Sequence, residues 1–253
     1  MCSKKITMPE SAVIGCIAWD EQSGCLCCGA AGGLVKLISL ETGGHGKASV
    51  STATLDGHQA EGHRVAHCCW NAQHGKLTTA DDSGHIIVWA CQQGTWIEEM
   101  VNNRQCSVVS AIQWSPDGSR ICIAYEDGAV IVGKVDGTRV WGKELELPLQ
   151  HLAWSPSSRN ILFTTRDGDV YLYDSDGNQI SKMQLRCQEH ARESNVAAIT
   201  WCAAFPCFRC ASVGGERRRK AVDRSASAGT QRGARVQRRR HLPLRWSMAR
   251  CTS

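Results

Sequence analysis

Between residues 121 and 145 the chain reads ICIAYEDGAVIVGKVDGTRVWGKEL. Three extended runs (121–125, 129–135 and 138–145) are separated by Asp127-Gly128 and Asp136-Gly137. Each Asp-Gly pair supplies the positive-φ residues that a tight reversal between antiparallel strands requires. The runs are β-branched and aromatic, as a half-buried pleated surface prefers. The pattern predicts a β-meander that must bury a face against a neighbour. Helix signals are almost absent; even residues 96–102 read as an outer strand.

The meander recurs. Trp19, Trp70, Trp114, Trp154 and Trp201 each close an alternating run: IGCIAW, VAHCCW, VSAIQW, LQHLAW and VAAITW, spaced 51, 44, 40 and 47 residues apart. After each of the first four come a polar turn, a strand, a Gly turn (Gly32-Gly33, Ser83-Gly84, Asp127-Gly128, Asp167-Gly168) and another strand. A further strand then leads to the next Trp run. Four strands at a pitch of about 40–45 residues is the β-propeller period. The fold expected is all-β: an incomplete propeller of four four-stranded blades plus one strand, over residues 1–201.

The repeats resemble the WD-repeat family. Asp56-Gly57-His58 matches its Gly-His dipeptide, Asp82 its turn aspartate and Trp89 its strand-ending tryptophan. The resemblance implies a hydrogen-bonded stack of His58, Thr79, Asp82 and Trp89 within one blade. The chain departs from the pattern elsewhere: Trp89 is followed by Ala90, and Gly-His occurs once in this context. The remaining blades are expected to rest on apolar packing.

Longer blocks (SKKITMP, GKLTTADDSGHIIVW, GTWIEEMVNNR and the meander itself) are similar to the N-terminal propeller of a WD-repeat subunit of intraflagellar transport complex A, from Ser3 to about Trp201. That resemblance implies a scaffold without catalysis, acting in retrograde ciliary transport, cilium assembly and protein entry into cilia. It implies other complex A subunits as partners, ciliary membrane-protein cargo indirectly, and residence in cytoplasm and cilium (axoneme and basal body). It also implies further blades, to about seven, beyond the four and one strand read here. Tubby-like proteins with N-terminal WD repeats are also similar, over residues 76–89, and would imply a ubiquitin-ligase substrate receptor. VWGKEL at residues 140–145 favours the ciliary reading.

Composition separates two regions. Residues 203–253 hold 13 basic against 2 acidic residues, a net of +11; residues 1–202 hold 16 basic against 22 acidic, a net of −6. After Trp201 neither strand nor helix periodicity continues, and residues 202–253 are expected to be a disordered or frame-shifted basic tail. Arg217–Lys220 and Arg238–Arg240 could bind polyanions through charge alone. Aromatics to stack on bases are sparse, so no specific nucleic acid is expected. No apolar run is long enough to span a bilayer, and the first residues lack a signal-peptide core, so no membrane insertion is expected.

Of the 15 cysteines, Cys25, Cys27, Cys28, Cys68, Cys69 and Cys122 lie inside strand runs rather than at framework spacings, and the set reads as reduced rather than as a disulfide framework. His58, His63, His67, Cys68 and Cys69 invite a zinc reading. Cys68 and Cys69 are adjacent in one strand, however, and face opposite ways. Cys207 and Cys210, with Cys202 nearby, form one Cys-x-x-Cys without a second pair. No metal, cofactor or small-molecule substrate is expected. Gly-rich phosphate loops, Gly-x-Ser-x-Gly elbows and His-Glu-x-x-His pairs are missing, and the recurrent aspartates are explained as turn residues.

Overall fold

The computed structural model describes residues 12–42, 48–58, 62–104, 107–184, 194–201, 207–214 and 245–250. Four antiparallel meanders follow one another, each with its strands in sequence order. The first holds β1 (Ile14–Asp20), β2 (Cys25–Ala30), β3 (Val35–Thr42) and β4 (Ala48–Leu55). The second holds β5 (Val65–Asn71), β6 (Lys76–Asp81), β7 (His85–Gln92) and β8 (Thr95–Asn103). The third is β9 (Val109–Trp114), β10 (Arg120–Tyr125), β11 (Ala129–Lys134) and β12 (Arg139–Glu144); the fourth is β13 (Leu149–Trp154), β14 (Asn160–Thr165), β15 (Asp169–Asp174) and β16 (Gln179–Gln184).

The first strands of the sheets stand side by side: β1 packs on β5, β5 on β9, and β9 on β13. Each sheet is therefore a blade, and the five tryptophan-bearing runs line a common axis. The all-β propeller expected from the repeat is the observed fold.

Cores lie between blades rather than within them. Cys25, Val35, Leu37 and Leu55 of blade 1 meet Leu77, Ile87 and Trp89 of blade 2. Alternation then sends neighbours along one strand to different cores. Ile121, Ile123 and Tyr125 of β10 face blade 2, whereas Cys122 and Ala124 face blade 4. A central blade strand is thus apolar on both faces. Gly84, Gly128 and Gly168 hold φ of 90°, 89° and 84° at the same turn of blades 2, 3 and 4. A Cβ on Gly128 would lie 2.6 Å from the Leu147 backbone nitrogen, so neither conformation nor space suits a side chain there.

Beyond blade 4 further strand pairing is described. β17 (Ser194–Trp201) packs against β13. It is then paired by β18 (Cys207–Gly214), which in turn pairs β19 (Arg245–Arg250), giving a fifth, three-stranded sheet. Regular pairing therefore does not end at Trp201. Phe208, Cys210 and Ala211 fall at alternate or adjacent ladder positions opposite β17, so strand pairing proceeds where sequence periodicity is faint. Cys202, Arg217–Lys220 and Arg238–Arg240 lie outside the described residues.

Candidate functional site

One blade carries a polar stack. His58, just before the second sheet, is buried together with Thr79 of β6, Asp81 at the end of β6 and Trp89 of β7. An indole N–H only donates and a carboxylate only accepts, which fixes the direction of the chain for a neutral imidazole. Trp89 Nε1–H donates to Thr79 Oγ1 at 2.8 Å. Thr79 O–H donates to His58 Nε2 at 2.8 Å, and His58 Nδ1–H donates to Asp81 Oδ2 at 2.7 Å. The other carboxylate oxygen of Asp81 accepts from the Ser83 backbone and hydroxyl and from the His85 N–H, tying the stack to the turn.

Burial holds the His58 pKa below the ordinary histidine value, outweighing the attraction of Asp81. Burial opposes ionisation of Asp81 too. Hydrogen bonds from Ser83, His58 and the His85 N–H outweigh it and hold the carboxyl below its usual range.

The aspartate in this stack is Asp81, not Asp82. Asp82 stands outside the strand, where its Oδ1 accepts from the Arg64 backbone and lies 3.1 Å from His63 Nδ1. Strand parity explains the difference. Thr79 and Asp81, two apart, share a face of β6, and Asp82 begins the turn. That period-two signal was available in KLTTADD.

The residues considered for zinc disperse. His67 Nε2 bonds the Val109 carbonyl at 2.9 Å. Cys68 packs with the blade 1–2 core and Cys69 with the blade 2–3 core. Burial pushes the Cys69 thiol up to about 12, a poor metal ligand at neutral pH. Among the described residues, the group that does converge is His58, Asp81 and His85, with ligand atoms within 4.8 Å of one another. The nearer nitrogen of His58 already holds the 2.7 Å bond to Asp81.

The repeat tryptophans join blades. Trp70 Nε1–H donates to the Ala18 carbonyl of blade 1 at 3.2 Å. Trp154 donates to the Gln113 carbonyl of blade 3 at 3.1 Å, and Trp201 to the Ala153 carbonyl of blade 4 at 3.0 Å. Ala18, Gln113 and Ala153 each immediately precede a repeat tryptophan. Trp114 uses the Thr78 hydroxyl of blade 2 instead, at 2.9 Å. Trp19 has no blade in front of it among the described residues and is 51% exposed.

At one rim of the axis, turn residues of three blades meet. A cavity of about 330 Å³ is lined by, among others, Arg64, His67, Asp82, Glu126, His151 and Arg166. Asp82, Glu126 and Arg166 occupy the same turn position. Each donates its N–H to a carbonyl just ahead of its blade's first strand, from Arg64, Val108 and Pro148 respectively. Arg166 also bonds the Glu126 carboxylate at 3.3 Å. Positive and negative groups share a concave, partly open surface, suited to a polar segment of another chain.

Comparison with known proteins places this arrangement. The fold is similar to a chain in the "Crystal Structure of Mitotic Checkpoint Complex", with a TM-score of 0.65 and 19% identity over 81% of this chain and 59% of that one. At that identity the likeness concerns fold alone. Human WD repeat-containing protein 35 is 43% identical over 210 residues, covering 79% of this chain and 18% of that protein. The rat protein of the same name is 44% identical over 208 residues, with the same coverage. Human Tubby-related protein 4 is 43% identical over 96 residues, 38% of this chain and 6% of that protein. This chain thus corresponds to under a fifth of these relatives' length. The WDR35/TULP4 N-terminal family model matches residues 1–211, and the chain belongs to that β-propeller family.

Proposed function

We propose that this chain is a non-catalytic interaction scaffold of the complex A type, docking other complex A subunits through the rim built by Asp82, Glu126 and Arg166. On this reading it works in cytoplasm and cilium, in retrograde transport, cilium assembly and protein entry into cilia, and meets membrane-protein cargo indirectly. The observation that carries it is the extent of likeness to WD repeat-containing protein 35, 79% of the chain at 43% identity. Rigid blades holding polar turns at one rim support a docking role.

The full chain, tagged and used to capture proteins from ciliated-cell extract, should retain complex A subunits. Glu126→Lys, which reverses a rim charge outside the cores, should weaken that capture without changing the circular dichroism. Failure to capture any complex A subunit overturns the reading.

The 96-residue likeness to Tubby-related protein 4 supports a second reading, a ubiquitin-ligase substrate receptor. Capture of ligase adaptors in place of complex A subunits would favour it.

A further inference from the structure

Metal-ligating side chains gather in blade 2, at the end of β6. Asp81 Oδ2 lies 2.7 Å from His58 Nδ1 and 3.8 Å from His85 Nδ1. The two imidazoles meet edge to face, with ring centroids 5.3 Å apart. The polar stack accounts for His58 and Asp81. It makes no use of the His85 ring, because His85 enters the stack through its backbone N–H.

Two imidazoles and one carboxylate form a ligand set that zinc takes, at about 2.0–2.1 Å from each atom. Tetrahedral ligands at that length stand about 3.4 Å apart. The observed 2.7 and 3.8 Å bracket that spacing, so side-chain shifts of about 1 Å bring the atoms to it. The cluster is dry on one side and open on the other. The His58 and Asp81 side chains are 0% and 3% exposed, whereas that of His85 is 26% exposed and leaves a way in.

Charge is balanced as well. A divalent ion on one carboxylate would leave a buried positive charge, which is costly. Glu98 of β8 supplies a second negative charge. Its Oε1 would stand 2.5 Å from a Cβ on Gly57, the neighbour of His58, and its charge acts on the His58 ring.

We propose that His58, Asp81 and His85 form a zinc-binding site on blade 2, with water in the fourth position. The ion takes the place of the proton on His58 Nδ1. That proton passes to Nε2, so the imidazole stays neutral and now donates to Thr79 Oγ1. A metal-bound imidazole ordinarily donates its other N–H in this way. Trp89 still donates to the same oxygen, and the Thr79 hydroxyl hydrogen turns out of the stack. Zinc binding and folding then reinforce one another. The site is separate from the docking rim, since none of its three ligands lines that cavity.

Zinc and its spectroscopic substitute cobalt(II) test this on the full 253-residue chain, with thiols kept reduced. Equilibrium dialysis against zinc chloride counts bound ions. Wild type should hold one equivalent more than His85→Ala, which cancels any background from the cysteines. The cobalt difference spectrum between the two should show tetrahedral bands without thiolate charge transfer. His85→Ala keeps the backbone N–H to Asp81, so its metal-free denaturant midpoint should match wild type. Zinc should raise the wild-type midpoint more than that of His85→Ala. His63→Ala, outside the cluster, should bind as wild type does. Glu98→Gln keeps shape at an exposed position and should weaken cobalt binding by about threefold.

Equal zinc counts for wild type and His85→Ala overturn the proposal. So does a difference spectrum carrying thiolate bands, a loss from His63→Ala as large as that from His85→Ala, or unchanged cobalt affinity in Glu98→Gln.

Discussion

Blades 2 and 4 solve one packing problem with different chemistry. Leu77 of β6 pairs Trp89 of β7, and Ile161 of β14 pairs Tyr173 of β15, so the two hairpins superpose residue by residue. At those matched positions blade 2 sets Thr79 beneath Trp89 and joins them by a hydrogen bond. Blade 4 sets Phe163 beneath Tyr173, rings 5.5 Å apart and inclined at 77°, edge to face. Where blade 2 ends its strand on Asp81 and holds it with His58, blade 4 has Thr165. Blade 3 carries Ile123 and Gly133 at the stack positions and Tyr125 in place of Asp81. A polar stack depends on every member, since a broken one strands buried donors and acceptors. An apolar pair depends only on filled volume.

The comparison breaks most visibly in blade 4. Phe163 is fully buried, and Phe163→Ala should cost about 3–5 kcal/mol through the lost ring and the cavity left behind, read as a lower denaturant midpoint.

In blade 2, Asp81→Ala should cost about 2–3 kcal/mol by orphaning His58 and the turn N–H groups. Asp82→Ala should stay under about 1 kcal/mol, because its partners are exposed. Equal losses from both would return Asp82 to the stack. Thr79→Val keeps shape but removes the link between His58 and Trp89. A loss of about 1–3 kcal/mol is expected, and a neutral result would mean that blade 2 rests on packing as blade 4 does.

The smallest effect is a pH dependence. A histidine whose folded pKa lies below its unfolded value of 6.5 binds fewer protons when folded. The contribution of His58 is therefore complete above pH 6.5. It declines as pH falls from there toward the folded pKa. His67, also held low by burial, adds to the same slope. His58→Asn should flatten, without abolishing, the fall in denaturant midpoint between about pH 7 and pH 5.

Much of this was legible in the chain itself. The recurring tryptophans and Gly turns gave the number and order of the first four blades, because a tight turn constrains backbone φ locally. The runs 121–125 and 129–135 match β10 and β11 to within one residue. The stack is legible as to blade, but its aspartate is Asp81 at the strand end, one residue before the turn aspartate that the family resemblance implies. The fifth sheet was not legible, since pairing partners such as Arg209 and Met248 are distant in sequence and carry no alternation of their own. The joining role of Gln113 was also hidden. Its carbonyl and side chain both serve Trp154 of the next blade, and nothing local marks such a contact.

Sequence alone determined that this protein is a series of like four-stranded units set edge to axis, since turn chemistry and side-chain alternation act over a few residues. Which carboxylate completes the polar stack and which carbonyl each indole meets were decided only in three dimensions. Those outcomes depend on what an adjoining blade, some 40 to 50 residues away, places opposite each side chain.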